Sequence, residues 1–471
     1  MHPLVKTGGL ADVVGALPGA LGELGVEVTT LLPGYPAVMQ AVSGARVVAR
    51  YPALFGGAAR LLRAGGLLIL DAPSLFGRAG GIYGDEKGTD WPDNMQRFAA
   101  LATVAADVAD GGCKGYSPDL LHLHDWQAAL AAAYIRFSTA PVPTVLTIHN
   151  LAFQGRFEAA GFPLLGLPTE AFGIDGVEYY GGVGFLKAGI RYADAITTVS
   201  PTYAEEIRTP AFGMGLDGLL RERAGAVHGI LNGIDGAEWN PATDRRIAAR
   251  YSARKLAAPT LLARDQNKRA VEGLFALEPG DGPIFCVVSR LTWQKGMDLL
   301  AEVLDDLVAM GGRLALLGSG DAAIEGAILA AAARHPGKVG VRIGYDEAVS
   351  HHLQAGADAI LVPSRNEPCG LTQMYGLRYG CVPVVARTGG LADTVIDANA
   401  AAVAAGVATG LMFDLEDAES LRAVLQRAIM LYARKDAWRG MQRAGMKADF
   451  SWAQSAARYA ALFEAVVAAR A

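Results

Sequence analysis

Two glycine loops of similar sequence lie far apart in the chain, and each could bind an anion. The first reads Lys6-Thr7-Gly8-Gly9-Leu10-Ala11-Asp12, and the second reads Arg387-Thr388-Gly389-Gly390-Leu391-Ala392-Asp393. Glycine lets backbone amides approach a ligand closely, and a helix N-terminus favours negative charge because its amides lack acceptors. The pair predicts a ligand bound between two halves of the chain, although two ordinary strand-to-helix turns would look the same.

Polar and glycine residues follow the predicted strands of the second half of the chain. In open parallel sheets, ligands bind beyond the carboxyl ends of the strands. Arg290 and Lys295 could hold a diphosphate, and Glu367 could accept hydrogen bonds from sugar hydroxyls. The other candidates are glycines, an aromatic ring and the start of a predicted helix: Gly318, Tyr345, Cys369, Gly370, Leu371 and Thr372. This combination is typical of a site for a sugar nucleotide.

Histidine and cysteine residues raise the question of a metal site or a nucleophile. His122 and His124 share one face of a predicted strand, but no third ligand is evident. His351 is predicted to lie with His352 on a helix surface, and Cys369 is predicted to be a packed thiol because no base accompanies it. The chain also lacks the Asp-x-Asp pair of metal-dependent sugar-nucleotide transferases. We therefore predict no metal site.

Apolar runs alternate with alanine-rich helical stretches along the whole chain, which predicts α/β domains with doubly wound parallel sheets. The predicted strands are Val26–Leu32, Leu67–Leu70, Leu120–Leu123, Thr144–Ile148, Ala195–Val199, Val227–Leu231, Ile284–Ser289, Arg313–Leu317, Val339–Ile343, Ala359–Val362, Val382–Ala386 and Gly410–Phe413. A polar, irregular stretch separates the two series. We predict domains at 1–244 and 245–448, with a last helix within 449–471 that crosses back to the first domain.

Composition narrows the class of protein. The chain has 471 residues, of which 52% are hydrophobic and 19% charged, so two packed cores are expected. A net charge of −5 argues against a nucleic-acid surface. The four cysteines have no metal-ligand spacing and are expected to be reduced thiols. No apolar run is strong enough to span a bilayer, so we expect no membrane partner, and the reduced thiols favour a cytoplasmic protein.

In its motifs, the chain resembles bacterial glycogen synthases and plant starch synthases. The matching segments run in family order over nearly the whole chain: Lys6–Asp12, Asp90–Asn94, His124–Gln127, Thr147–Asn150, Leu186–Gly189, Val199–Tyr203, Asn232–Asp235, Ser289–Thr292, Gln294–Gly296, Pro363–Gln373 and Arg387–Val395. The resemblance implies two Rossmann-like domains that face each other across a cleft, the GT-B arrangement. It also implies transfer of glucose from ADP-glucose to the non-reducing end of an α-1,4-glucan, with retention of configuration and no cofactor.

The resemblance also implies roles for single residues. Arg290 and Lys295 would neutralise the departing diphosphate, while Glu367 and His149 would contact the sugar. Tyr345 would stack near the adenine. The residues expected near the phosphates, or more weakly near donor or acceptor, are Lys6, Gly8, Gly9, Asp12, Asp125, Asn232, Gly318, Cys369, Gly370, Leu371, Thr372, Thr388, Gly389 and Gly390.

Two departures from the family pattern bear on these expectations. Tyr375 stands where many retaining GT-B enzymes have a second glutamate, so no catalytic role is assigned there. The family usually has a full strand before the first glycine loop, whereas only five residues precede Lys6 here. Because a doubly wound domain has its first strand at the centre of the sheet, we expect the natural product to start about 10–20 residues upstream.

Two alternative functions remain open from the sequence. A catalytically inactive glucan- or sugar-nucleotide-binding homologue would keep the fold, but it need not keep Lys6, His149, Arg290, Lys295 and Glu367 together. A phosphorylase that uses pyridoxal phosphate would need a Schiff-base lysine in a recognisable context, and none is evident. Incorporation of labelled glucose into glycogen separates the three possibilities.

Overall fold

The computed structural model describes residues 1, 3–5, 8–42, 44–139, 142–252, 258–414 and 416–470. The chain forms two compact units. The first unit combines Met1–Gly233 with Trp452–Ala471, and the second unit is Ile234–Ser451. The division falls some residues before the predicted boundary at 245, and the last helix belongs to the first unit.

The first unit contains two four-stranded sheets and one three-stranded sheet. Its strands are β1 (Thr30–Pro33), β2 (Arg46–Leu54), β3 (Gly57–Ala64), β4 (Leu67–Asp71), β5 (Leu121–His124), β6 (Thr144–Ile148), β7 (Arg156–Glu158), β8 (Glu178–Tyr179), β9 (Gly182–Gly184), β10 (Ala195–Thr198) and β11 (Val227–Gly229). Its first eight helices are α1 (Gly9–Gly22), α2 (Pro36–Ala41), α3 (Pro73–Phe76), α4 (Asn94–Ala109), α5 (Asp125–Arg136), α6 (Phe185–Tyr192), α7 (Pro201–Glu206) and α8 (Asp217–Glu222).

The sheets of the first unit differ in strand direction. One has the order β11-β10-β6-β5 and is parallel throughout. The other has the order β1-β4-β3-β2, in which only β1 and β4 are parallel. The predicted α/β class with parallel sheets is confirmed, and one sheet of this unit also contains two antiparallel pairs that were not predicted. The antiparallel β2–β3 hairpin was missed because its strands carry exposed arginines and Pro52 in place of an apolar run.

The second unit has one six-stranded sheet in which every neighbouring pair is parallel, in the order β14-β13-β12-β15-β16-β17. Its strands are β12 (Ile284–Val288), β13 (Arg313–Gly318), β14 (Val339–Ile343), β15 (Ala359–Val362), β16 (Val382–Ala386) and β17 (Leu411–Phe413). Its helices are α9 (Ala258–Leu274), α10 (Met297–Ala309), α11 (Ala322–Arg334), α12 (Glu347–Gly356), α13 (Thr372–Tyr379), α14 (Gly389–Thr394), α15 (Ala400–Ala404), α16 (Ala418–Ala433) and α17 (Lys435–Lys447). The order reverses between β12 and β15, which is where a doubly wound sheet binds ligands.

The chain ends with helix α18 (Trp452–Ala468), which returns to the first unit. Trp452, Tyr459 and Phe463 recur at the spacing of one helical face. They pack in a core cluster with Val13 and Leu17 of α1. This packing makes the two separate stretches of chain one folded unit.

The four cysteines are buried thiols without a disulfide bond, in agreement with the reduced thiols expected from the composition. None of the helices in the described part of the chain combines the length and apolar character that a bilayer span requires.

Candidate active site

Glycines let several loops of the second unit pack closely at the carboxyl ends of its strands. A β-carbon on Gly390 would lie 2.1 Å from Cys369 O, and one on Gly389 would lie 2.1 Å from Glu367 O. On the neighbouring strands, a β-carbon on Gly318 would lie 2.1 Å from Ser289 O. Larger residues would force these loops apart, so the second glycine loop is fixed against the Glu367 segment by its own backbone.

Lys295 and Glu367 form an ion pair at this end of the sheet. The Lys295 ammonium donates to both carboxylate oxygens of Glu367, at 2.8 and 2.6 Å, and both side chains are mostly buried. Ser364 Oγ also donates to Glu367 Oε2, at 2.8 Å. The neighbouring Gly296 holds the lysine loop against β15, because a β-carbon there would meet Pro363 O at 1.9 Å. The carboxylate is therefore held in one position by two donors.

Arg290 differs from Lys295 although both were predicted to hold a diphosphate. Its side chain is exposed, and within the described residues no hydrogen bond or ion pair involves its guanidinium. A guanidinium keeps its charge at all relevant pH values and offers a planar set of donors. Arg290 is therefore a cation available to an anionic ligand, whereas Lys295 already shares its charge with Glu367.

The segment Gly370–Thr372 lies at the N-terminus of α13, where backbone amides are available to an anion. Gly370 has a φ of 70°, which glycine adopts readily. Gln373 braces the segment, since its Nε2 donates to Cys369 O at 3.1 Å and to Gly370 O at 2.9 Å. Cys369 is buried, which agrees with a packed thiol.

The remaining predicted residues of the second unit lie at the same sheet edge. Tyr345 follows β14, and its side chain is 67% exposed. Thr388 is buried at the start of α14, immediately before the two glycines. The structure therefore brings together the predicted residues of this unit on loops that follow neighbouring strands.

In the first unit, His149 lies beside His124. Their strands β5 and β6 are parallel neighbours, and His124 Nδ1 lies 3.0 Å from His149 Nε2. Burial lowers the pKa of His124 to about 4 and lowers that of His149 well below its usual value. Both rings are therefore neutral at pH 7, so one donates the hydrogen bond and the other accepts it.

Asp125 fixes the backbone of the His149 loop. Its Oδ1 accepts the His149 amide at 2.7 Å, and the Asn150 amide also donates to this carboxylate. Burial raises the pKa of Asp125 to about 7, against the opposing effect of these amides. Asp125 has a φ of 53°, which is uncommon outside glycine. It therefore shapes the loop that carries His149.

The other predicted residues of the first unit differ in their surroundings. A β-carbon on Gly8 or Gly9 would meet no described atom within 4 Å, so packing does not explain these glycines. Asp12 lies in the first turn of α1. Asn232 is buried, and its Oδ1 has no partner among the described residues. Lys6 lies outside the described residues.

The structure shows the surroundings of the histidines that were considered as metal ligands or surface residues. His122 Nε2 bonds to Thr147 Oγ1 at 2.6 Å and His124 Nδ1 lies 3.0 Å from His149 Nε2, so each of these nitrogens already has a hydrogen-bond partner. The prediction of His351 on a helix surface is wrong, because His351 is fully buried and its Nδ1 bonds to Asp244 Oδ2 at 2.7 Å. The helix α12 turns this side chain inward, where Trp239 stacks on it at 3.9 Å.

One group of possible metal ligands occurs among the described residues: Glu238, Glu347 and His351. Arg246 already contacts all three. Its Nη2 lies 3.2 Å from Glu238 Oε1 and 3.2 Å from Glu347 Oε1, and its Nη1 lies 3.3 Å from His351 Nε2. The guanidinium supplies the positive charge that a metal ion would bring.

Sequence reasoning missed three residues that support the site: Ser364, His124 and Gln373. Each lies within a quoted motif or next to one. Their functions depend on side-chain direction and on contacts with other loops, which the order of residues does not show. For His124, the signal was its place at the end of a strand beside the predicted strand of His149.

Comparisons with known proteins agree with this architecture. Residues 1–222 match the model of the starch synthase catalytic domain, and residues 275–439 match that of glycosyl transferases group 1. The structure is similar to the catalytic domain of starch synthase IV from Arabidopsis thaliana bound to ADP and acarbose. The TM-score is 0.86 at 30% identity, and the match covers 99% of this chain and 98% of that one. Sucrose-phosphate synthase from Thermosynechococcus elongatus shares the fold, with a TM-score of 0.61 at 18% identity over 98% and 94% of the two chains.

Curated relatives are closer in sequence. A glycogen synthase of Novosphingobium aromaticivorans is 62% identical over 99% of this chain and 97% of that protein. A glycogen synthase of Mesorhizobium japonicum is 58% identical over 100% and 98% of the two chains. Fold and site thus define a glycosyltransferase with two Rossmann-like α/β domains of the GT-B class, as predicted. The chain belongs to the family of glycogen and starch synthases. The similarity supports an active glucosyltransferase and not the inactive homologue.

Proposed function

We propose that this glucosyltransferase moves glucose from ADP-glucose to the 4-hydroxyl at the non-reducing end of an α-1,4-glucan, with retention of configuration. The observation that carries the proposal is the Lys295–Glu367 pair, which lies beside the Gly370–Thr372 amides and at the same sheet edge as the exposed Arg290. The names of the relatives, and the ADP and acarbose in the starch synthase IV structure, support this choice of donor and acceptor.

In the proposed reaction, each charge that develops on the substrate would be stabilised by protein groups of opposite polarity. Cleavage of the anomeric bond places negative charge on the diphosphate and positive charge on the sugar ring. Arg290, Lys295 and the amides of Gly370–Thr372 would stabilise the first, and the Glu367 carboxylate would hold sugar hydroxyls near the second. Lys295, Glu367 and the helix amides are held in place before the reaction, so they need little reorganisation in the transition state.

His149 would contact the transferred glucose as a neutral ring. Its depressed pKa makes it a weak base at pH 7, so it suits hydrogen bonding to a hydroxyl better than proton removal. In the proposal, the departing phosphate oxygen takes the acceptor's proton on the same face of the sugar. A dedicated protein base is then unnecessary.

Incubation with radiolabelled ADP-glucose and glycogen tests the function. We expect label in glycogen, a higher kcat/KM for ADP-glucose than for UDP-glucose, and no loss of rate in EDTA because Arg290 and Lys295 supply the positive charge. The new linkage should be α-1,4, which digestion by β-amylase checks. Absence of label under all conditions would favour the inactive homologue, and phosphate-dependent release of glucose 1-phosphate would favour a phosphorylase.

A further inference from the structure

Three exposed apolar side chains of the first unit have no role in the proposed chemistry. Phe153, Tyr180 and Met214 are 53%, 70% and 42% exposed. We refer to these three residues as the Tyr180 surface. Single exposed apolar residues are common on proteins, so the connection between these three decides whether they form a site.

One carbonyl joins the segments that carry the Tyr180 surface. Gln154 Nε2, next to Phe153 in the chain, donates to Met214 O at 3.1 Å. Tyr179 Oη donates to the same oxygen at 3.1 Å. The rings of Tyr179 and Tyr180 pack edge to face with centroids 4.8 Å apart. Three stretches that are distant in sequence are therefore tied together at one point.

The backbone of this surface is strained. Tyr180 and Met214 have φ values of 47° and 48°, where the β-carbon of an ordinary residue is crowded. Gly215 leaves room for both tyrosine side chains, because a β-carbon there would lie 2.9 Å from Tyr179 Oη and 3.0 Å from Tyr180 Oη. Arg156 Nη2 holds Tyr180 O at 2.7 Å. Strain of this kind gathers at ligand sites, and here it holds an aromatic ring in solvent.

The Tyr180 surface continues from the His149 loop. Asn150 follows His149, and a tight turn closes where Phe153 N donates to Asn150 O at 3.2 Å. Ala152 N also donates to Asn150 Oδ1, at 3.0 Å. The exposed Phe153 is therefore held a few residues from the histidine that is proposed to contact the transferred glucose.

We propose that the Tyr180 surface binds the α-1,4-glucan acceptor by stacking of Tyr180 and Phe153 on glucose rings. This inference rests on the proposed function and assigns residues to its acceptor. A glucose ring has an apolar C–H face with hydroxyls around its edge, which matches a rigid aromatic ring with a polar tip. A protein partner would require a larger contiguous apolar surface than three side chains on loops provide.

The test measures glucan binding apart from catalysis. The variants are Tyr180→Ala, Phe153→Ala and Tyr180→Phe, with Leu24→Ala as the control because Leu24 is 50% exposed in the same unit. Migration in native gels that contain glycogen, without any donor, gives the dissociation constant. We expect about fivefold weaker binding for each alanine variant and near-parent binding for Tyr180→Phe and Leu24→Ala. The KM for glycogen should rise similarly, while the KM for the donor stays within about twofold.

The outcomes separate the inference from the proposed function. If the parent binds glycogen but transfers no glucose, the function fails, and the gel result still decides the role of the Tyr180 surface. Unchanged glycogen binding in Tyr180→Ala and Phe153→Ala overturns the inference, as does a parent that does not bind glycogen. A change from dimer to monomer in Tyr180→Ala, with unchanged glycogen binding, would identify a protein interface and would also overturn it.

Discussion

At the scale of single residues, Lys295 and Glu367 behave as one electrostatic unit. Lys295→Met should lower kcat about a hundredfold, because each preorganised charge contributes about 2.7–4 kcal/mol to the transition state. The same change leaves the mostly buried Glu367 carboxylate without its cation, and should lower the unfolding free energy by about 1–3 kcal/mol. Steady-state kinetics and thermal unfolding measure the two effects.

A double variant separates stability from activity at this pair. Lys295→Met with Glu367→Gln should recover most of the lost stability, because no unpaired charge remains, while activity stays low. Lys338→Ala is the matched control, since Lys338 pairs with Glu278 at the surface. A Glu367→Gln enzyme with full activity would show that charge at this position is unnecessary.

Arg290, in the same unit, is expected to affect activity without affecting stability. Because its guanidinium is exposed and has no partner among the described residues, Arg290→Ala should leave the melting temperature unchanged. The proposed contact with the diphosphate predicts a loss of kcat of about a hundredfold. Arg439→Ala, which removes another exposed arginine of this unit, should change neither quantity. Activity of Arg290→Ala within threefold of the parent would contradict the assigned role.

His124 is expected to set the tautomer of His149. Each ring is neutral and they share one hydrogen bond, so removal of His124 leaves His149 Nε2 without its partner. His124→Phe should lower kcat by up to about a hundredfold, as for a misplaced group, with a smaller change in KM. His124→Asn keeps a hydrogen-bonding group near the Nδ1 position and should recover part of the rate.

The control for His124 is His122→Phe, on the same strand. His122 bonds to Thr147 and not to His149, so this variant should retain most activity. The ¹⁵N chemical shifts of the His149 ring report its tautomer directly. An unchanged tautomer in His124→Phe would show that another group fixes His149.

The buried histidines predict that acid destabilises the first unit. Burial lowers the pKa values of His122, His124 and His149 below 6.5, so the stability they contribute is present above that pH and is lost as the pH falls toward 4. Asp125 acts oppositely. Its pKa rises from 3.8 to about 7, so its contribution is lost as the pH rises through that range. Three histidines outweigh one carboxylate.

Thermal unfolding of the parent and of a histidine variant, compared between pH 7.5 and 4.5, tests this pH dependence. His122→Phe removes one titrating group and should flatten the dependence by up to about 1.4 kcal/mol per pH unit. The comparison with the parent cancels all other groups. An equal slope in both proteins would mean that His122 does not titrate on unfolding.

At the scale of elements, the two glycine loops have different physical requirements despite their similar sequences. Gly390→Ala should destabilise the protein strongly, because the new β-carbon would meet Cys369 O. Gly8→Ala and Gly9→Ala should leave the melting temperature nearly unchanged, since their β-carbons meet no described atom. A lower affinity for ADP in these two variants, measured by calorimetry, would support contact with phosphate. Unchanged affinity for ADP would indicate that the first loop is an ordinary turn that does not contact phosphate.

Most of the strands could be predicted from the sequence. A strand occurs at each position where an apolar run was predicted. The five-residue strand β6 begins and ends at the predicted residues. Such runs are informative because strands covered on both faces exclude polar residues. The β2–β3 hairpin was not predicted because β2 is mostly exposed, and Arg46 and Arg50 interrupt its apolar residues. Contacts between loops, such as Ser364 with Glu367, also leave no pattern in the sequence.

At the scale of the whole molecule, the two units differ in how the chain builds them. The second unit is one continuous stretch, Ile234–Ser451, and its sheet is complete within that stretch. The first unit needs α18 from the end of the chain. Tyr459 and Phe463 of α18 also contact the ring of His122, at 5.3 and 5.2 Å, on the strand that carries His124. The end of the chain thus supports the candidate site of the first unit.

The two units should therefore differ when they are expressed as fragments. Residues 234–451 should fold alone and show one cooperative thermal transition. Residues 1–233 should not fold, because the loss of Trp452, Tyr459 and Phe463 from the core would each cost about 3–5 kcal/mol against a total stability of about 5–15 kcal/mol. Addition of a peptide of residues 452–470 should restore a folded state, detectable by circular dichroism and hydrogen exchange. A fragment of residues 1–233 that folds equally well without the peptide would show that α18 only covers a core that is already stable.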